Sequence, residues 1–311
     1  MIAVKTLPLL AAPLLWCGAA LAGDPPHVVA SIKPIHSLVA AIMNGVGTPD
    51  LIVEGAASPH TYALKPSNAR ALEAAQVVFW VGPGMEAFLA KPLSALGGNA
   101  SIAELDKAPG IEKLKLREGG AFEADDDGDD QLPDGSTAPF DSHLWLDPMN
   151  AKAMAAEITT TMVAADPGNA LTYQANQTIL NDKLDALDKH IAAAVKPVKS
   201  KPFVVFHDAY QYFEKRYAVH VAGSITVSPE SIPGAARISE IHNKVATLGA
   251  TCVFAEPQFE PRLVGVVIEG TDAKAGILDP EAATLTPGPD LYFTLMNGVA
   301  ASLKDCLGQD S

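Results

Sequence analysis

Short apolar runs alternate with amphipathic stretches along most of the chain. Runs rich in valine, isoleucine and phenylalanine have the length of buried strands: 27–32, 50–53, 77–81, 203–206, 219–222, 251–255 and 276–278. Stretches with helical character occur between and after them: 34–43, 66–74, 150–165, 168–195, 208–215, 234–248, 261–270 and 292–307. Strands that alternate with helices predict parallel sheets with crossover helices.

The longest helical pattern lies in the middle of the chain. Asp166 and Pro167 provide a break and a helix start. A single apolar stripe follows, formed by Leu180, Leu184, Leu187, Ile191 and Val195. A helix over 168–195 would be about 42 Å long, which is enough to connect two lobes. We therefore predict an α/β protein with two lobes, 23–167 and 196–311, each with a mainly parallel sheet flanked by helices.

The first residues have the pattern of a secretory signal peptide. Lys5 supplies a positive charge, and the apolar run 7–16 is too short to span a bilayer. The sequence Ala-Leu-Ala at 20–22 provides small residues for cleavage. We predict that residues 1–22 are removed on export to the periplasm. A membrane anchor is the weaker alternative, because acidic and proline-rich sequence follows at once.

Two of the three cysteines remain after this predicted cleavage. Cys17 leaves with the signal, and the bulky Trp16 before it disfavours lipid attachment. Cys252 and Cys306 would then lie in an oxidising compartment, where two cysteines tend to pair. A pair of buried free thiols is the alternative that the sequence leaves open.

Composition excludes several function classes. Hydrophobic residues make up 48% of the 311 residues, enough for a substantial core, and the net charge is -14. Such acidity disfavours binding to nucleic acid or to an anionic membrane. No further stretch has the pattern of a transmembrane segment, so we expect no membrane insertion after cleavage. Acidic residues concentrate in 123–140, which like-charge repulsion predicts to be a surface loop.

Three histidines stand out by their positions. His60 follows the predicted strand 50–53, His143 follows the acidic loop, and His207 ends the predicted strand 203–206. In open α/β sheets, ligands bind at the carboxyl ends of strands. Three imidazoles with a carboxylate or a water form a ligand set typical of Zn²⁺. Spacing alone does not establish such a site, because scattered histidines in a chain this long are often unrelated.

Two carboxylates, Glu256 and Asp279, also follow predicted strands. With an open water position at the metal and Glu256 as general base, the site would suit a zinc hydrolase. With a closed ligand shell, it would suit a metal-binding protein. The residues by themselves leave both functions open, and they leave the metal open between zinc and manganese.

Several segments resemble the metal-binding family of periplasmic solute-binding proteins: 58–67, 78–86, 143–146, 206–214, 252–259 and 278–280. The resemblance covers essentially the whole mature chain and is strongest to members that serve high-affinity zinc ABC importers. It implies two α/β lobes joined by one long rigid helix, 168–195. It also implies a monomeric, non-enzymatic protein that captures Zn²⁺ between the lobes and delivers it to a membrane permease.

The resemblance assigns roles to individual residues. His60, His143 and His207 fall on the histidines that hold zinc in the family. Asp279 falls on a position that supplies a carboxylate ligand in several relatives. Manganese-specific relatives tend to have a glutamate at the position of His207, so the resemblance favours zinc.

The family resemblance extends to the two cysteines, but the sequence differs from the family pattern at Pro59 and in the loop 123–140. Cys252 and Cys306 fall on the pair that forms a disulfide in the most similar family members. Pro59 stands where such members can have an acidic candidate ligand, so the fourth ligand is Asp279 or water, and we predict Asp279. The loop 123–140 contains acids but no histidine. Carboxylates alone also attract Ca²⁺ and Mg²⁺, so this loop lacks the composition for selective zinc collection.

Overall fold

The structure, a computed structural model, describes residues 24–96, 100–117, 122, 140–226, 233–248, 251–259 and 262–308. Within these residues the chain forms two parallel four-stranded sheets, each flanked by helices. This architecture confirms the predicted α/β class. The predicted signal 1–22 and nearly all of the acidic loop 123–140 lie outside the described residues.

The first lobe is built on the sheet order β2-β1-β3-β4. Its strands are β1 (Val28–Ala30), β2 (Asp50–Leu51), β3 (Val77–Trp80) and β4 (Ser101–Glu104). Its helices are α1 (Lys33–Ile42), α2 (Pro66–Ala74), α3 (Ala87–Leu96) and α4 (Pro148–Ala165). The central strands β1 and β3 are buried along their whole length, as expected for parallel strands covered on both faces.

Two elements of this lobe were not predicted from sequence. Strand β4 lies at the edge of its sheet, and its residues are largely half-buried or exposed, so it lacks a continuous apolar run. Helix α3 contains Pro92 in its interior. A proline there removes a hydrogen bond and breaks the sequence pattern of a helix, although the tertiary structure retains one.

The second lobe repeats the arrangement with the order β6-β5-β7-β8. Its strands are β5 (Pro202–His207), β6 (His220–Thr226), β7 (Cys252–Ala255) and β8 (Lys274–Ile277). Helix α5 (Ala170–Val195) precedes this lobe, and its own helices are α6 (Gln211–Tyr217), α7 (Ala235–Leu248), α8 (Arg262–Ile268) and α9 (Leu291–Leu307). A disulfide between Cys252 and Cys306 joins β7 to α9, which confirms the predicted pairing.

Helix α5 connects the lobes. It begins after a short 3-10 turn, Pro167–Asn169, and ends where the pattern over 168–195 predicted. The predicted stripe from Leu180 to Val195 is buried, and α5 packs against α1 and α4 of the first lobe and α6 and α9 of the second. One hydrophobic core therefore extends through both lobes. The lobe limits 23–167 and 196–311 stay a prediction. Among the described residues, no helix is both long and apolar enough to span a membrane.

Candidate metal site

Three imidazole rings meet between the two lobes. Nε2 of His143 lies 3.3 Å from Nε2 of His60 and 3.2 Å from Nε2 of His207. Within the described part of the chain, these side chains form the group of potential metal ligands whose donor atoms all lie within 4.8 Å of one another. In a tetrahedral site with Zn–N bonds of about 2.05 Å, neighbouring nitrogens are about 3.3 Å apart. The two Nε2–Nε2 distances from His143, 3.3 Å and 3.2 Å, therefore suit ligands of a single zinc ion.

His60 is presented by a 3-10 turn, Pro59–Thr61, that follows β2. Pro59 occupies the start of the turn, where its fixed backbone angle favours helical geometry. Oγ of Ser58 accepts the backbone N–H of His60 at 3.3 Å and caps the turn. The Ser-Pro-His sequence thus supplies both the cap and the conformation that position the ring.

His143 is held by a carboxylate two residues earlier. Oδ1 of Asp141 accepts the backbone N–H of His143 at 3.0 Å and its ring Nδ1–H at 2.7 Å. The next three residues form a buried 3-10 turn, Leu144–Leu146, which anchors the segment in the core. A ring that donates from Nδ1 carries its lone pair on Nε2, the atom that faces the other two histidines.

His207 and Glu256 form the equivalent pair in the second lobe. In the parallel strands β5 and β7, Phe203 pairs with Cys252. His207 lies four residues after Phe203, and Glu256 lies four residues after Cys252. The register therefore places both side chains on the same face at the carboxyl edge of the sheet. Oε1 of Glu256 lies 2.6 Å from Nδ1 of His207 and accepts a hydrogen bond from its N–H. Nε2 of His207 is thereby left to face the cluster.

Burial and mutual proximity set the charge of the three rings. Burial lowers the pKa of His143 well below its usual value, and the neighbouring His207 adds to this effect. The pKa of His60 is lowered for the same reasons, with contributions from both other rings. Burial also acts to lower the pKa of His207, but the charge and hydrogen bond of Glu256 outweigh it, and the pKa is raised. His60 and His143 are therefore neutral, as metal ligands must be.

Asp279 lies just after β8, and its carboxylate is engaged by the backbone. Oδ1 accepts N–H groups from Glu281 at 3.3 Å and Ala283 at 3.0 Å, and Oδ2 accepts the N–H of Thr284 at 3.4 Å. Nε2 of Gln258 donates to Oδ1 at 3.4 Å. Asp279 is not part of the group of three side chains described above. Its assignment as the fourth ligand stays a prediction.

Glu281 is a second carboxylate at this side of the site. Its Oε1 lies 3.9 Å from Nε2 of His60, and the residue is buried. Burial raises its pKa well above the usual range, and the charges of Glu256 and Asp279 add to the shift. Sequence analysis missed this residue, although its position two residues after Asp279 was a usable signal.

Sequence analysis also missed Asp141 and did not pair Glu256 with His207. The hydrolase alternative used Glu256 as a general base, whereas its Oε1 accepts the ring N–H of His207. The signal for Asp141 was present in the motif Asp-x-His, because a carboxylate two residues before a histidine can bond both its backbone and its ring. The signal for Glu256 required the register of β5 and β7.

The site opens on the side of His60, whose side chain is 12% exposed against 2% for His207. A cavity of about 520 Å³ lies there, lined on one wall by Ser58, Thr61 and Tyr62 and on the other by Gln258 and Phe259. Its walls come from both lobes. None of the three histidines lines this cavity, which adjoins His60 through the neighbouring residues Ser58 and Thr61.

Comparison with known proteins identifies the family. Residues 28–306 match the family described as ZnuA, zinc-uptake complex component A, periplasmic. The high-affinity zinc uptake system protein ZnuA of Brucella suis is 52% identical, over 94% of this chain and 95% of its own length. The protein of the same name from Yersinia pestis is 36% identical, over 90% of this chain and 91% of its own.

Solved structures have the same architecture. A crystal structure of ZnuA has a TM-score of 0.78 at 25% identity and covers 91% of this chain and 100% of its own. The periplasmic zinc-binding protein TroA of Treponema pallidum also has a TM-score of 0.78, over 91% of this chain and 99% of its own. Its 20% identity shows the fold alone. The match over residues 28–306 and the similarity to the Brucella and Yersinia proteins show that this chain belongs to the ZnuA family.

Proposed function

We propose that this protein captures Zn²⁺ with His60, His143 and His207 and delivers it to the permease of a high-affinity zinc ABC importer. The observation that carries the proposal is the convergence of three Nε2 atoms at the spacing of zinc ligands. Neutral imidazoles suit zinc, whereas manganese prefers carboxylates and water. The names of the relatives, high-affinity zinc uptake system proteins, support the same cargo.

Asp279 remains our proposed fourth ligand, in accordance with the family resemblance. Among the described residues, Oδ2 accepts a single hydrogen bond, from Thr284 at 3.4 Å, and is the oxygen more easily turned to a metal. A fourth protein ligand would close the shell and leave no water position for hydrolysis. Glu281, 3.9 Å from His60, is the competing carboxylate.

A hydrolase is the less supported alternative. It requires a base that is free to activate a metal-bound water. Glu256 is buried, and its Oε1 already accepts the hydrogen bond from Nδ1–H of His207. The family to which the chain belongs is a transport family. These observations favour binding and release of the ion over catalysis.

Export, oligomeric state and partner complete the proposal. Residues 1–22 would direct the chain to the periplasm, in accordance with the periplasmic description of the family. The mature protein would act as a monomer, in accordance with the family resemblance, and its three histidines come from one chain. The permease would meet the protein on the side of His60, whose side chain is more exposed than that of His207.

Metal content and competition test this function. The mature protein, purified without added metal, should contain zinc, and calorimetry with Zn²⁺ and Mn²⁺ in competition should show a clear preference for Zn²⁺. His207→Ala should weaken zinc binding by at least about 100-fold. Four-ligand zinc sites bind with about 10–16 kcal/mol, so each ligand contributes roughly a quarter of this free energy. His190→Ala, on the exposed face of α5, is the matched control. Preference for Mn²⁺, or full zinc affinity in His207→Ala, would overturn the proposal.

A further inference from the structure

The segment 279–285, here called the 279–285 turn, connects β8 to α9 and packs against the first lobe. Three of its N–H groups are satisfied from within, since Asp279 accepts those of Glu281, Ala283 and Thr284. Ala282 is fully buried and has a φ of 59°. A non-glycine residue adopts this left-handed conformation only where its surroundings impose it. The turn is therefore a constrained structure. Within it, the carbonyl oxygen of Ala282 accepts the N–H of Leu285 at 3.0 Å, and further hydrogen bonds to carbonyl groups of the turn come from partners outside it.

Those partners come from the first lobe. Nζ of Lys33, at the start of α1, donates to the carbonyl oxygens of Ala282 at 2.9 Å, Ala283 at 2.7 Å and Leu285 at 3.0 Å. Nε1 of Trp145 donates to the carbonyl oxygen of Pro280 at 2.8 Å. The first lobe thus holds the turn by four hydrogen bonds to its backbone.

All three N–H donors of the Lys33 ammonium group have acceptors in the turn. An ammonium group has three N–H donors, and here three carbonyl oxygens receive them. Lys33 is only 5% exposed, so water does not compete for these bonds. The charge of Asp279 acts on Lys33 and offsets part of the cost of burying it. A buried lysine whose donors all bind one segment of another lobe acts as a clamp on that segment.

This clamp sets the distance between the carboxylates of the turn and the histidines. Glu281 lies inside the turn, and its Oε1 is 3.9 Å from Nε2 of His60. Resting on the zinc-binding function above, we propose that Lys33 is a positioning residue of the metal site. It binds the 279–285 turn of the second lobe to the first lobe and so holds Glu281 beside His60, together with Asp279 at the start of the same turn.

Lys33→Met tests the clamp, because methionine keeps an unbranched chain of similar length but has no donors. Loss of a group that orients metal ligands lowers affinity by about 10- to 100-fold, and we expect a zinc affinity reduced by this factor. We also expect an altered visible absorption spectrum of the Co²⁺-loaded protein, because the carboxylate contribution to the coordination shell changes. Backbone amides of the turn should exchange faster with solvent, while amides of β5 keep their rates.

Lys183→Met is the matched control, since this exposed lysine on α5 pairs with Asp290 at 3.4 Å, close to α9. It should leave zinc affinity, the Co²⁺ spectrum and amide exchange unchanged. A Lys33→Met protein with wild-type values in all three measurements would overturn the positioning role. A protein that binds no zinc in its wild-type form would instead overturn the proposed function, whereas amide exchange would still report on the clamp.

Where Lys33→Met fails to fold, the zinc-free wild-type protein provides the test. The clamp requires the turn to be ordered before metal arrives, so amides of Glu281, Ala283 and Thr284 should be protected from exchange. Exchange of these amides at the rate of an open loop would overturn the proposal.

Discussion

Nδ1 of His207 donates to Oε1 of Glu256 across 2.6 Å, and this bond aims Nε2 of the ring at the two other histidines. Asp141 does the same for His143 in the first lobe at 2.7 Å. Each lobe therefore contributes a histidine together with the carboxylate that orients it. A carboxylate in this position raises the basicity of the ring and fixes the nitrogen that binds metal.

Glu256→Gln should weaken zinc binding by about 10- to 100-fold, because the amide keeps the volume but loses the negative charge that supports His207. Competition with a fluorescent zinc chelator measures the change. Glu73→Gln, on the exposed face of α2, serves as the control and should bind zinc as the wild type does. Unchanged affinity in Glu256→Gln would mean that ring orientation comes from packing alone.

Asp279→Asn and Glu281→Gln test the fourth ligand separately. If Asp279 is the ligand, as predicted, Asp279→Asn lowers zinc affinity by at least about 10-fold and shifts the visible spectrum of the Co²⁺-loaded protein. Glu281→Gln should then have the smaller effect. A spectral shift confined to Glu281→Gln would assign the position to Glu281, whose Oε1 already lies 3.9 Å from His60.

Zinc affinity should fall as the pH is lowered. In the metal-free protein the pKa of His207 is raised, chiefly because Glu256 outweighs the effect of burial. Below that pKa the ion must displace a proton, so affinity falls by up to about tenfold per pH unit, beginning above the usual histidine value. Calorimetry in buffers of different ionisation enthalpy measures the proton released. Constant affinity between pH 8 and pH 6 would contradict this expectation.

The first lobe should lose stability as the pH rises towards neutrality because of Glu86. Burial raises the pKa of Glu86 from 4.5 to about 7, in spite of hydrogen bonds from Ser31 and the backbone. Below pH 4.5, Glu86 is protonated in both the folded and the unfolded protein. Between pH 4.5 and about 7, Glu86 is ionised in the unfolded protein but still protonated in the folded one, so stability is lost as the pH rises. The wild type should therefore lose about 2 kcal/mol more than Glu86→Gln between pH 5 and pH 7. Denaturant titrations of the zinc-free proteins measure this difference, and parallel pH curves would refute it.

Removal of the disulfide should destabilise the protein without removing the metal site. The bridge between Cys252 and Cys306 closes a loop with a sequence separation of 54. The chain-entropy model gives a loss of about 4 kcal/mol for a loop of this size. Chemical denaturation of the Cys252→Ala/Cys306→Ala protein measures the loss. Reductant should destabilise the wild type but not this variant. Equal stability of the two proteins in the absence of reductant would contradict the prediction.

Local pattern determined much of the architecture. The continuous apolar runs at β3 and β5 and the apolar stripe on α5 predict buried strands and a buried helix face. The structure buries all three. Strand β4 and helix α3 escaped prediction for the same reason. An edge strand carries little apolar signal, and Pro92 interrupts the pattern of a helix that tertiary packing retains.

For the site, the sequence by itself singled out His60, His143 and His207, because each follows a predicted strand or the acidic loop, and such folds bind ligands at strand ends. The resemblance of the surrounding motifs to the family indicated that the three histidines bind one zinc ion. Only the tertiary structure decided which carboxylates serve them. The pairing of His207 with Glu256 depends on strand register, and the contact of Lys33 with the 279–285 turn joins residues about 250 positions apart. Long-range pairings of this kind leave no local periodicity in a sequence, since they arise only when two lobes pack together.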